Sequence, residues 1–230
     1  MKRIALAAAL ALLPLPAAHA AAQTGGQQAA RDWTTAAERT PEGGIRIGNP
    51  NARVKVIEYL SLSCSHCAQF AADSQGSLWA NHVRTGAVSV EYRNFVLNGF
   101  DMAAAMLSRC AAPRRYFDMT HDLLAHQADW LGRSQTLTDA QRTELGGLAP
   151  LQAMQRLVPL IGLDRIAARH GIGAAELRTC MANQANLDQL GTLQQGGGAL
   201  GVTGTPTFII NGQLAQVNTW AGIEPLLRAR

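Results

Sequence analysis

Charge is scarce in this 230-residue chain: Asp, Glu, Lys and Arg together make up 16% of it. That scarcity excludes the acidic or basic chains that self-repulsion keeps unfolded. Aromatic residues are thinner still, at 5%, too few for a surface that interleaves rings and basic groups around nucleic acid. There are four cysteines, not enough to frame a miniature domain by disulfides alone. Long apolar runs are also missing. The run at residues 4–13 meets Pro14 after ten residues, about half of the roughly 20 that a membrane-crossing helix requires. The net charge of +4 falls to +2 once Lys2 and Arg3 are set apart, so no anionic partner is implied. What is abundant is apolar: 47% of the residues are hydrophobic, enough to core one domain, with or without an insertion.

The first twenty residues read as a secretory signal. Lys2 and Arg3 are its basic start, residues 4–13 its apolar stretch, and Ala18-His19-Ala20 supplies small residues for cleavage. Cleavage after Ala20 or Ala22 leaves about 210 residues in a compartment where disulfides persist, which points to the periplasm. Residues 21–44 (Ala, Gln, Gly and Thr, with few large apolar groups) predict a flexible segment, with Trp33 free to dock on the body.

Beyond it, Ile45-Arg46-Ile47 predicts a short edge strand, and residues 54–60 a β-branched strand that runs into Ser63-Cys64-Ser65-His66-Cys67 and a helix. Residues 87–97 form the next expected strand. From about 100 to 184 the pattern turns helical, with helices expected over 101–112, 114–131, 138–155 and 174–182. A helix over 187–200, a strand over 207–210, the hairpin turn Asn211-Gly212 and a closing helix over 220–227 complete the chain. The fold class is therefore α/β, with an all-helical block (100–184) splitting the core into 45–99 and 185–230.

Chemistry is concentrated at Cys64-Ser65-His66-Cys67. A tetrahedral zinc site needs four ligands, and no second CxxC or suitably spaced histidine pair accompanies this one. No metal and no organic cofactor are expected. A redox reading explains more. At a strand-to-helix junction Cys64 meets unpaired N–H groups and the positive end of the helix dipole, both of which favour a thiolate. His66 adds a positive or hydrogen-bonding neighbour. A thiol pKa near 5 would stabilise the reduced form by about 2.7 kcal/mol at pH 7, making the disulfide about 60 mV more oxidising. Glu58, six residues before Cys64, is either buried beneath the helix start, where it could take a proton from Cys67, or on the polar side of a half-buried strand. Pro206 stands at the entry of a strand. Taken alone it reads as an ordinary trans proline.

Glu58, Ser61, Cys64-Ser65-His66-Cys67 and Gln69-Phe70, with Thr205-Pro206-Thr207-Phe208 far downstream, resemble the DsbA-like branch of the thioredoxin superfamily from about residue 44 to 230. The resemblance implies a thioredoxin-like fold with an inserted all-helical domain. It makes Cys64 the nucleophile, Cys67 the buried resolving thiol, Glu58 the buried acid and Pro206 a cis-proline, with the Thr205 backbone presented to an extended substrate peptide. Pro206 lies 139 residues beyond Cys67, where a helix, a strand and a helix need only about 40–50. Ser-His replaces the Pro-His of the best-known members, and Thr rather than Val precedes the proline. The implied activity is protein thiol–disulfide exchange, donating the Cys64–Cys67 disulfide to reduced, unfolded exported proteins. The implied redox partner is a quinone-linked membrane oxidase, and the expected form is a monomer that binds no nucleic acid.

Three rivals stand beside this reading: an isomerase or reductase of the same fold, a non-enzymatic carrier holding a metal between the two thiols, and a binding module. Residues 21–44 are too few for the dimerisation domain of the usual isomerase. Cys110 and Cys180 are candidates for a second, structural disulfide in an oxidising compartment; the alternative is two buried free thiols. Gly196 to Gly201 matches GxGxxG in form only and reads as a helix stop. Asp118, His121 and Asp122 read as a solvated helix face, and Phe70, Phe95, Phe117 and Trp130 as core.

Overall fold

Val54, Val56 and Ile57, with Tyr59, make the segment Val54–Leu60 an extended strand, β3. The computed structural model describes residues 31–228; the expected signal, residues 1–20, lies outside the described residues. Around β3 a six-stranded sheet is ordered β1-β2-β4-β3-β5-β6. Its strands are β1 (Ala37–Arg39), β2 (Ile45–Gly48), β4 (Val88–Asn94), β5 (Thr207–Ile210) and β6 (Gln213–Leu214). β3 and β4 are parallel, and every other neighbouring pair is antiparallel. The parallel pair requires a crossover, which is α1 (Ser65–Ser77) and a π-helical turn, Leu78–Val83. The thioredoxin-like α/β class is the one observed.

Alternation assigns the faces. Val54, Val56, Glu58 and Leu60 share one side of β3 with Val88, Val90 and Tyr92 of β4, over the main core. α1, α3 (Pro113–Ala125) and α10 (Trp220–Arg228) cover this side: Phe70 packs on Phe208 at 4.5 Å and on Trp220 at 6.0 Å, and Tyr92 on Phe117 at 4.8 Å. Tyr59 points to the other side, with Val202 and Ile209 and with α9 (Gln184–Ala199). α9 approaches so closely that a Cβ on Gly197 would stand 2.9 Å from the Tyr59 ring. The glycines at 196–198 therefore do not stop this helix. They lie inside it, and Gly197 allows it to reach the sheet.

Between β4 and α9 run seven helices: α2 (Gly99–Ser108), α3, α4 (Gln127–Gln135), α5 (Asp139–Gly146), α6 (Pro150–Leu160), α7 (Leu163–Arg169) and α8 (Ala174–Met181). α2 is the axis of this block, with Ala103 through Leu107 fully buried. Two expected long helices are each broken. Residues 114–131 bend at His126, whose backbone (φ −104°, ψ 19°) ends α3 and starts α4 while its ring contacts the Asp122 carbonyl at 3.0 Å. Residues 138–155 part at Gly147, and Pro150 opens α6.

The expected flexibility of residues 21–44 does not hold for 31–44. β1 pairs with β2 from Ala37↔Ile47 to Arg39↔Ile45, and Glu38 forms an ion pair with Arg46. β2 is consequently an interior strand, not the expected edge. Ala37-Glu38-Arg39 has no apolar alternation to announce a strand, because backbone pairing and charge hold it.

Candidate active site

The carboxyl end of β3, the loop at residues 61–63 and the start of α1 place the CxxC. Cys64 is the N-cap residue of α1, with extended backbone (φ −85°, ψ 120°). Its sulfur is half-buried, whereas Cys67, in the first turn, is fully buried. Facing them is the loop before β5, where the Thr205–Pro206 peptide is cis. The Cys64 thiol donates to the Thr205 carbonyl at 3.2 Å. The structure thus brings together residues 141 positions apart.

Electrostatics separate the two thiols. Cys64 is lowered to about 5. The hydrogen bond from the Cys67 thiol contributes most, followed by the Thr205 hydroxyl and the backbone N–H groups of Cys67 and His66, against an opposing cost of burial. The Thr205 hydroxyl is buried with no other partner, which leaves it free to donate to a thiolate. Cys67 is pushed far up by burial, then by the neighbouring Cys64 and Glu58. Glu58, 3% exposed, is raised to about 8, first by burial and then by the Cys64 charge. It lies on the core side, beneath the pair. The His66 ring is exposed, and its contribution to the sulfur comes through its backbone N–H.

Two residues not singled out from the sequence close the site. Asp101 of α2 accepts from the Leu62 N–H at 2.8 Å and the Ser61 hydroxyl at 2.6 Å. Gln127, at the start of α4, donates to the Leu62 and Cys64 carbonyls at 2.7 and 3.0 Å. Asn98-x-x-Asp101 carries a helix-start signal, and Asn98 does cap α2, but nothing near Gln127 announces a role.

Cys110 and Cys180 are far from this site in function. They form a disulfide that ties the segment after α2 to α8. Of Asp118, His121 and Asp122, Asp118 lies on the solvated face expected of it, and the other two depart from it. His121 is half-buried, and its desolvation lowers it to about 4; it meets the Tyr92 hydroxyl at 3.1 Å. Asp122 joins Arg169 and His170 at 3.0 Å each. Phe70, Phe117 and Trp130 are core residues, and Phe95 is half-buried beside Tyr59. Among the described residues no group of three or more His, Cys, Asp or Glu side chains is arranged to hold a metal ion, and no helix is long and apolar enough to cross a membrane.

A mixed sheet, a CxxC at the start of its first long helix, a cis-proline loop opposite and helices spliced into the second half define a thioredoxin fold with a helical insertion. The chain belongs to the thioredoxin family, whose sequence profile matches residues 40–229. It is similar to the crystal structure of a protein-disulfide isomerase from Novosphingobium aromaticivorans, at 30% identity and a TM-score of 0.75, covering 80% of this chain and 95% of that one. It shares its fold with Wolbachia pipientis alpha-DsbA1, at 22% identity and a TM-score of 0.64 over 80% and 88% of the two chains. A curated Rickettsia prowazekii relative that carries the name protein-disulfide oxidoreductase is 28% identical over 170 residues, 72% of this chain and 53% of its own length. The chain spans about half the length of the curated relatives it matches.

Proposed function

We propose that this protein is a thiol–disulfide oxidoreductase that donates its Cys64–Cys67 disulfide to reduced, unfolded proteins outside the cytoplasm. The observation that carries this reading is the contrast between a half-buried Cys64 lowered to about 5 and a fully buried Cys67 pushed far up. A low-pKa thiol stabilises the reduced pair, and that makes the oxidised pair a strong donor.

In the oxidised protein only Cys64 is open to attack. A substrate thiolate attacks Cys64 Sγ, a substrate–Cys64 bond forms, and the Cys64–Cys67 bond breaks with its electron pair going to Cys67. Buried and strongly basic, Cys67 takes a proton whose donor we assign as the Glu58 carboxyl, charge-coupled to Cys67 and protonated up to about pH 8. A second substrate thiolate then attacks the substrate sulfur of the mixed disulfide. Cys64 leaves as a stable thiolate. Two substrate thiols have lost two electrons and two protons, and the protein pair has gained the electrons. The Thr205 backbone at the cis-proline loop is placed to pair with the extended substrate. Reoxidation falls to a partner, which we assign to a quinone-linked membrane oxidase on the family resemblance. Residues 1–20 are assigned as the export signal, and the working form as a monomer.

Equilibration with glutathione buffers tests the donor reading. A potential well above about −200 mV is expected, and a value near the roughly −270 mV of a reducing thioredoxin overturns it. A second reading, disulfide isomerisation, is favoured by one observation, the name of the Novosphingobium relative. Efficient unscrambling of a misoxidised substrate by the reduced protein, with weak oxidation of a reduced one, would select it.

A further inference from the structure

The loop that presents Cys64 is held from outside the thioredoxin core. β3 ends at Leu60 and α1 begins at Ser65; between them the Cys64 N–H turns back to the Ser61 carbonyl and the Cys64 carbonyl accepts from the Ala68 N–H, but the Leu62 N–H and carbonyl find no ladder or helix partner. Buried backbone groups need partners, and the insertion supplies them. Asp101, 1% exposed, and Gln127, 8% exposed, take opposite ends of one residue. The Leu62 N–H donates to Asp101 Oδ1 at 2.8 Å, and the Leu62 carbonyl accepts from Gln127 Nε2 at 2.7 Å. Each grip reaches further, Asp101 to Ser61 and to the turn after β4, Gln127 to Cys64. Asp101 Oδ2 accepts from the Ser61 hydroxyl at 2.6 Å and the Leu97 N–H at 2.9 Å. Gln127 Nε2 also reaches the Cys64 carbonyl at 3.0 Å.

We propose that Asp101 and Gln127 are positioning residues of the redox site, gripping Leu62 by both its N–H and its carbonyl so that Cys64 Sγ stays at the amino end of α1 opposite Thr205. The proposal rests on the reading of Cys64–Cys67 as a redox pair. Its physical basis is that the sulfur's place follows from the backbone angles of residues 62–64. Displacement by about an ångström is enough to misalign donors aimed at a reacting atom. The His66 and Cys67 N–H groups and the Thr205 hydroxyl act on Cys64 only while that placement holds. The helical insertion, on this view, sets the reactivity of a cysteine that belongs to the other part of the fold.

The test follows alkylation of Cys64 against pH in the full reduced chain by mass spectrometry, beside its equilibrium with glutathione. Alkylation reads this sulfur directly; its midpoint is coupled to Glu58 and Cys67, but these groups and His66 are the same in every variant, so the comparison between variants isolates the loop. Gln127→Met keeps the side-chain length and removes both donors. Its expected effect is a rise of about one pH unit in the Cys64 midpoint and about a tenfold shift of the glutathione equilibrium toward the oxidised pair. Asp101→Asn keeps the shape and one acceptor, and should shift both readouts the same way by about threefold. It decides alone if Gln127→Met does not fold. Val88→Ala, a cavity in β4 beside Val54 at the end of β3 remote from the loop, should lower the Tm and leave both readouts in place. Folded variants with unchanged midpoint and equilibrium overturn the proposal, and so does a Val88→Ala shift of equal size. A wild-type midpoint in the ordinary thiol range would instead overturn the redox reading itself, before any variant is compared.

Discussion

The molecule holds two pairs of cysteines, and they differ in nearly every respect that decides what a sulfur does. Cys64 and Cys67 are three positions apart, at a helix start, among backbone N–H groups, and free. Cys110 and Cys180 are 70 positions apart, one just past the end of α2 and the other in α8, and bonded. The first pair is asymmetric in both exposure and acidity; the second closes a loop. A short-range pair at a helix terminus is arranged to change state, whereas a long-range pair constrains the unfolded chain. The same element serves chemistry or stability according to its surroundings.

The sharpest way to break the comparison is to remove one sulfur of the first pair. Cys64→Ser should reduce disulfide transfer to background. Cys67→Ser should instead leave Cys64 reactive and trap substrate–Cys64 mixed disulfides that mass spectrometry detects. Trapping by Cys64→Ser rather than Cys67→Ser would reverse the assigned roles.

The second pair should respond differently. Replacing Cys110 and Cys180 by Ser together should cost up to about 4 kcal/mol of stability, from the 70-residue separation. It should leave the Cys64 titration where it is. A drop in melting temperature measures the first, and alkylation against pH the second.

A finer distinction lies in the pH dependence of the reduced protein. Between about pH 5 and pH 8 the folded state holds Glu58 protonated and Cys64 ionised, while the unfolded chain holds the reverse. A carboxyl raised on folding contributes stability that is lost as pH rises toward 8. A thiol lowered on folding contributes stability that is present at high pH and lost as pH falls toward 5. The two slopes oppose one another. Cys64→Ser should expose the Glu58 slope, a fall of at most about 1.4 kcal/mol per pH unit. Glu58→Gln should expose the opposite, shallower rise, since the half-exposed Cys64 sulfur is screened by water. Denaturant unfolding of the reduced proteins at several pH values reads both, and parallel curves for wild type and variants would refute the opposition. The smallest expected effect is that of Thr205→Val. Losing one hydroxyl from the donors around Cys64 should raise its midpoint by a fraction of a pH unit, seen in the same alkylation titration.

The sequence made the reactive cysteines, the strand-to-helix junction and the α/β class legible, because those follow from local spacing and periodicity. The burial of Glu58 was ambiguous for a physical reason. β3 is covered on both faces at its carboxyl end, where Glu58, Tyr59 and Leu60 are all buried, so polarity no longer alternates. β1 was missed because Ala37-Glu38-Arg39 is held by backbone pairing, not by apolar side chains. Gln127 was illegible for a related reason. Its contacts lie 63 and 65 positions away, and it follows a bend at His126 within what reads as one continuous helical run. The cis peptide at Pro206 came from the family resemblance and not from any local signal.

The distribution of the site along the chain also bears on how it comes into being. Ser61–Cys67 belongs to the first third, Asp101 and Gln127 to the middle third, and Thr205–Pro206 to the last third. A chain emerging from synthesis carries its cysteines long before the groups that distinguish them are made, and closing loops of that length delays the encounter further. The full set of groups that distinguishes Cys64 is therefore complete only once these three parts have met. Until the last of them docks, the pair lacks the Thr205 hydroxyl and the cover of the cis-proline loop, and is more open to wrong bonds with the cysteines at positions 110 and 180.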